Sequence, residues 1–178
     1  MIISAKERTQ ISVDVLEKIS NTDLADLCYN TEQAVKAGGG FGWITVPPRD
    51  VLKKYWNSML LINTNTLIVG RLNGDIAGSM QLSFYPPNNE AQKNISSIQS
   101  HFVAPWARGY GLAKAMIDYA ILKSKENNKV SIQLDIRETQ TAAIQLFESK
   151  GFIRWGENPT YAFVNGNPIK GYYYYRNI

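Results

Sequence analysis

Apolar and polar residues repeat along this chain with two different periods, and the switches between them mark its elements. Ile11-Ser12-Val13-Asp14-Val15-Leu16 alternates at first with period two, which predicts a strand. Asn21-Thr22-Asp23 offers helix caps before Leu24, Leu27, Cys28, Ala34 and Val35, so a helix is predicted to run to Lys36, where Gly38-Gly39-Gly40 ends it. Pro47-Pro48-Arg49-Asp50 introduces a second helix with Val51, Leu52, Tyr55, Trp56, Met59 and Leu60 on its buried side. Leu67 to Leu72 and Ile76 to Phe84, joined by Asn73-Gly74-Asp75, predict a β-hairpin. Val130 to Ile136 predicts a strand with one apolar parity, and Thr141 to Lys150 an amphipathic helix ended by Gly151. Phe152 to Trp155, Tyr161 to Val164 and Tyr172 to Tyr175 are read as closing strands around the turn Asn165-Gly166-Asn167.

Between the hairpin and the later strand lies the segment around which the rest is arranged. Ile95 to Val103 is extended, Pro105 ends that strand, and apolar residues at 112, 115, 116, 119 and 122 restart with helical spacing. The turn between them, Arg108-Gly109-Tyr110-Gly111, is therefore the entry to a helix. Its glycines permit positive φ and close approach of backbone to a bound group. The first amides of the helix lack internal partners and carry the positive end of its dipole, so the corner suits a phosphate, with Arg108 as a permanent cation beside it. Glycines serving only a tight connection are the plainer reading of the same residues.

The order of elements, strand, two helices, three strands, helix, strand, helix, closing strands, implies one mixed α/β layered domain over residues 1–178. Both the corner and this order resemble the GNAT family of acyl-CoA-dependent N-acetyltransferases. Arg108, Gly111 and Ala113 match the spaced positions of the family's motif A, with Val103 and Pro105 at the end of the strand before it. The pattern is most similar to the tabtoxin-resistance-like group, through the glycines from Gly38 to Gly42, Tyr55-Trp56, Gln81-Leu82, Leu134-Asp135 and Tyr172 to Tyr175. The resemblance implies a three-layer α/β fold, of the α+β mixed-sheet kind, with a central, mostly antiparallel sheet, diverging fourth and fifth strands, and about four flanking helices. It also implies acetyl-CoA as cofactor.

In that fold the diphosphate would lie on the amides of Arg108, Gly109, Tyr110, Gly111, Leu112 and Ala113. The pantetheine arm would lie along the strand edge at Phe102 and Val103, binding as an added strand. Gln140 stands where many relatives touch that arm, or is a solvated residue at a helix start. Substrate contacts are expected from Gly40, Phe41 and Trp43 on the glycine-rich loop, and from the aromatic C-terminal strand. Four consecutive tyrosines place two on each face, so one pair is exposed, faces a ligand, or is covered by a partner, a homodimer being one such cover.

Transfer of an acetyl group to an amine asks for a proton acceptor and a proton donor. The family's tyrosine donor is replaced here by Phe147, leaving Tyr161, Tyr173 or solvent to protonate the thiolate, or a slow or inactive enzyme. The family's glutamate position falls near Ser97, which removes no proton at neutral pH. His101, the one histidine, is either a base on that strand or a buried core residue; Asp135 is a base, a local cap, or a group that binds the substrate's ammonium.

Composition narrows the remaining classes. Hydrophobic residues make up 44% of the 178-residue chain and charged ones 19%, as in ordinary globular domains. The net charge of +4 is scattered, with no basic stripe carrying interleaved aromatics, so nucleic acid is a weak candidate partner. One cysteine and one histidine exclude an internal disulfide and supply no metal-ligand set. Cys28 sits in an apolar rhythm that favours a small buried side chain over a reactive thiol. No apolar run has the length of a membrane span or the flank of a signal peptide, so a cytoplasmic protein is expected, with no membrane partner. The readings that remain are a small-molecule N-acetyltransferase with an amino-acid-like or antibiotic-like amine, a protein amino-group acetyltransferase, and a catalytically impaired acyl-CoA-binding module.

Overall fold

A computed structural model describes residues 9–39 and 41–178. Its elements are β1 (Ile11–Val15), α1 (Asn21–Lys36), α2 (Arg49–Met59), β2 (Asn65–Leu72), β3 (Asp75–Phe84), β4 (Ile95–Val103), α3 (Leu112–Glu126), β5 (Ser131–Arg137), α4 (Thr141–Ser149), β6 (Ile153–Val164) and β7 (Asn167–Asn177). The strands form one sheet in the order β1-β2-β3-β4-β5-β7-β6. Only the β4–β5 pair is parallel. This is the expected mixed, mostly antiparallel sheet flanked by four α-helices.

Local chemistry explains where these elements start and stop. The β2–β3 hairpin turns on Asn73 and Gly74, both at positive φ (53° and 98°), the conformation a two-residue turn needs to match strand twist. α1 begins one residue before the caps read from sequence: Ser20 is the cap, its Oγ accepting from the Asp23 amide at 3.0 Å while the Asp23 carboxylate accepts from the Ser20 amide. α4 ends with Gly151 at φ 79°, a left-handed stop.

β2 is buried on both faces, which is why Leu67-Ile68-Val69 reads as a continuous apolar run. Leu67 and Val69 pack with Leu27, Leu52 and Trp56 beneath α1 and α2, whereas Ile68 joins Met80, Met116, Ile117 and Ile132 beneath α3. Each such side chain, fully buried, contributes roughly 1.5–3 kcal/mol. The Trp56 indole N–H is satisfied inside this core by Thr31 Oγ1 at 3.1 Å.

Three sequence expectations shift. The buried stripe of α3 is Leu112, Met116, Ile117, Ala120 and Ser124, and Leu122 is 51% exposed. Ser124 turns inward because its hydroxyl bonds Ser96 of β4 at 2.8 Å, a polar contact that an apolar count misses. On α2, Val51 is exposed and only Leu52 and Trp56 are fully buried. The segments Phe152 to Trp155 and Tyr161 to Val164 are parts of one strand, β6, which runs through Pro159 with register shifts on either side of Asn158. It tolerates proline because it is the sheet's edge. The four tyrosines do divide between faces. Tyr172 and Tyr174 face the α3–α4 core, and Tyr174 is fully buried, its hydroxyl donating to Glu148 at 2.9 Å. No helix among the described residues is long and apolar enough to cross a membrane.

Candidate active site

β4 and β5 pair only where Ile95 to Ser97 meet Ser131 to Gln133. Past that point β4 continues to Val103 and β5 to Arg137 with no ladder between them, so the sheet splits. An irregularity helps open it. Against β3, Ser79 faces Phe102 and Gln81 faces Gln99, so β4 holds one residue more than its partner, and Ser100 takes φ 49°. The facing edge of β4 therefore presents backbone groups that no strand satisfies.

At the head of the split stands the glycine corner. Gly109 and Gly111 have φ 88° and 82°, and an added Cβ at either would meet nothing within 4 Å. The first bond of α3 runs from the Ala115 amide to the Gly111 carbonyl at 3.0 Å. Among the described residues, the amides from Gly109 to Lys114 have no hydrogen-bond partner. Arg108 sits below them, its Nε 3.5 Å from the Val103 carbonyl. This fits a diphosphate: unpartnered amides, no side chains in the way, a helix dipole and a cation. Leu112 contributes only backbone, since its side chain is 1% exposed in the core; Tyr110 is 50% exposed. Phe102 likewise turns its ring inward, 5.1 Å from Phe41.

A cleft of about 520 Å³ runs from this corner, bordered by Val103, Arg108 and Ala113, towards the start of α4. Gln140 precedes α4 and reaches across to donate to the Gly38 carbonyl at 2.6 Å. It therefore ties the glycine-rich loop to the start of α4, beside the cleft that it lines.

A second cleft of about 460 Å³ lies on the other side of the split. His101, Gln140 and Ala143 border both clefts, so the two spaces meet at this point. In the second cleft the Tyr161 hydroxyl donates to the Asp135 carboxylate. Burial, followed by the hydrogen bond to Asp135, pushes the Tyr161 hydroxyl well above the usual phenol range. The Tyr161 ring packs on Gly171 of β7, where an added Cβ would clash with the ring's Cγ. Tyr173 packs edge-on beside it at 6.3 Å.

His101 is partly buried beside Phe147, whose ring lies 5.5 Å away, and its Nε2, closed off from solvent, has no partner among the described residues. Burial pulls its pKa down to about 4, so the imidazole is neutral at physiological pH and is a weak proton acceptor there. His101 thus lines both clefts, with its Nε2 closed off from solvent and unpaired among the described residues. Phe147 is 3% exposed and closes the floor. Ser97 lies in the paired part of β4, outside both clefts.

Of the expected substrate residues, Phe41 lines the second cleft, and Gly40 lies outside the described residues. Trp43 does not line the cleft; it packs on Phe41 and Tyr55 at 5.5 and 4.9 Å, and Gly42 and Ile44 border the cleft in its place. Trp106 is pinned to α1 by its indole N–H on Asn30 Oδ1 at 2.8 Å. Cys28 is buried in the α1–α2 core, where burial pushes its thiol up, so it supplies no nucleophile. Sequence reasoning missed Arg137, which borders the second cleft two residues beyond Asp135 on the same strand face.

Comparison with known proteins gives this arrangement a context. The chain is similar to a ribosomal-protein-alanine N-acetyltransferase from Brucella melitensis, with a TM-score of 0.77 at 18% identity over 94% of this chain and 99% of that one. It is similar to a GNAT superfamily phosphinothricin acetyltransferase from Sinorhizobium meliloti solved in complex with AcCoA, with a TM-score of 0.76 at 18% identity over 94% and 88% of the two chains. At such identities these likenesses establish the fold. In sequence it is 42% identical over 132 residues, 74% of this chain and 79% of the relative, to an uncharacterized N-acetyltransferase in the hisH-hisA intergenic region of Azospirillum brasilense. The family model for the acetyltransferase (GNAT) family matches residues 30–152, a span that holds the glycine-rich loop, the bulged strand, the glycine corner and α4. The family model's match over residues 30–152, with the 42% identical relative matching over 74% of the chain, places this split sheet and its amide-lined corner in the acetyltransferase (GNAT) family.

Proposed function

We propose that residues 1–178 act as one catalytic unit that moves an acetyl group from acetyl-CoA to the primary amine of a small molecule. The observation that carries this reading is the meeting of the two clefts at His101 and Gln140, with the amide-lined corner at one end and the Asp135–Tyr161 pair at the other. Acetyl-CoA, when bound, supplies an acetyl thioester and departs as the thiol. Arg108 and the amides from Gly109 to Ala113 would hold its diphosphate, and the free edge of β4 at Phe102 and Val103 its amide-bearing arm.

The protein's part is then positioning and proton movement. Asp135 Oδ accepts the proton that the attacking amine loses. Tyr161 Oη, already bonded to that carboxylate, supplies a proton to the leaving sulfur and recovers one from Asp135, so that one proton passes from nitrogen to sulfur with no net change in the pair. Phe147 and the partly buried ring of His101 keep water from the floor.

A small acceptor is supported by the size of the second cleft, about 460 Å³, within the range of small-molecule pockets. Asp135 is the only acid among its described lining residues, which is unlike the acidic groove a basic polypeptide would need. The fold does not decide the acceptor, since a ribosomal-protein and a phosphinothricin enzyme match it equally well. Kinship with the tabtoxin-resistance-like group belongs to the same proposal and rests on the placement of Gly38 to Gly42, Tyr55-Trp56 and the C-terminal tyrosines.

Thiol release measured with acetyl-CoA and a panel of small amines tests the proposal. Turnover of small amines supports it. Turnover confined to peptides supports the protein-directed reading, and tight CoA binding without any turnover supports an impaired binding module, as Phe147 would allow.

A further inference from the structure

Arg137 lies in the acceptor cleft as a cation without an acid. β5 alternates, with Ile132, Leu134 and Ile136 packed in the core and Gln133, Asp135 and Arg137 on the opposite face. Over that face the loop at Phe41 reaches Arg137, whose Nη2 donates to the Phe41 carbonyl at 2.9 Å. A guanidinium carries five N–H donors and no acceptor. Among the described residues the Phe41 carbonyl is the only hydrogen-bond partner of the Arg137 guanidinium, and no carboxylate forms an ion pair with it. The nearest acid along the strand, Asp135, is engaged by Tyr161. Asp135 and Arg137 are also the only charged side chains among the described lining residues of that cleft.

We infer that Arg137 is a carboxylate-binding residue and that the acceptor is an amino acid with a free carboxylate, its amine at Asp135 and its carboxylate at Arg137. The inference rests on the small-amine reading above and names its substrate class. Residues two apart on a strand are separated by roughly 7 Å, and the arginine side chain spans that gap, so an amine and a carboxylate a few bonds apart satisfy both groups at once. A planar guanidinium with free N–H pairs recognises a carboxylate through two parallel hydrogen bonds. A site built for such an ion rejects an analogue that lacks it, because the cation is left unpaired. In a protein N-terminus the α-carboxylate of a free amino acid is replaced by a neutral amide.

The test compares the common amino acids, each against its own carboxamide, as acceptors for acetyl-CoA. Saturation-transfer NMR on the protein without cofactor gives a binding readout independent of turnover. The expected result is a preference for the acid over the amide of about 10- to 100-fold in kcat/KM, with the preference also seen in binding. Arg137→Gln brings the acid-to-amide ratio near one by raising KM for acids, and Arg137→Lys retains part of it. If acids and amides are used equally well by the unaltered protein, the carboxylate site is refuted while the small-amine reading stands. An Arg137→Gln variant that raises KM equally for both members of each pair also refutes it, since Arg137 would then serve only to hold the Phe41 loop. Failure of every amino acid to bind or react, with peptides acetylated, removes the small-amine reading itself.

Discussion

Because burial lowers the His101 pKa to about 4, against about 6.5 in an unfolded chain, the unfolded state binds the extra proton between those values. Stability therefore falls as pH drops from about 6.5 towards 4, by on the order of 3 kcal/mol, and His101→Phe flattens that slope; urea midpoints across the pH range measure both. The same burial means that activity near neutrality does not follow a histidine titration. The proton pair gives a second expectation at this scale. Tyr161→Phe and Asp135→Asn each lower kcat by about 10²- to 10³-fold, and the double variant is little worse than either alone, because the two act as one unit. Gly171→Ala, which displaces the Tyr161 ring, lowers kcat with Tyr161 still present. Single residues were legible where chemistry is local: Asp135 and Tyr161 stand out as titratable groups near strand ends. Their contact was not, because it depends on the register of β7 against β5 and on Gly171 leaving room for a ring.

At the scale of elements, the split depends on how closely α3 lies against the strands before it. Gly70 and Gly78 make this possible: a Cβ at Gly70 would lie 2.8 Å from Leu112 and Met116, and one at Gly78 would lie 2.6 Å from the Phe102 carbonyl. Gly78→Val is expected to cost about 1–3 kcal/mol by overpacking and to weaken CoA binding as well, since it pushes on the β4 edge; denaturant melts and calorimetry read the two effects separately. Hairpin, helix ends and the proline corner were legible because turn chemistry and capping are written in consecutive residues. The inward turn of Ser124 and the passage of β6 through Pro159 were not. The first needs the hydroxyl of Ser96 from another strand, and the second needs the knowledge that β6 is the edge.

Across the described residues, α1 and α2 cover one face of the sheet and α3 and α4 the other, and β4 and β5 part beyond Ser97 and Gln133. The glycine corner, the Asp135–Tyr161 pair and Arg137 all lie at the clefts that this parting opens. The architecture was legible in the order of elements and in Arg108, Gly111 and Ala113, whereas the acceptor cleft was not, since Ile44 and Arg137 enter it only through folding. All of the chemistry proposed here depends on the free amides at the head of α3 holding a diphosphate. Calorimetric titration of CoA into the unaltered protein, with Arg108→Glu and Gly111→Trp alongside it and circular dichroism to confirm their folding, addresses that claim most directly. The expected result is a Kd below millimolar, weakened at least about tenfold in each folded variant; absence of binding, or binding that neither substitution alters, would contradict it.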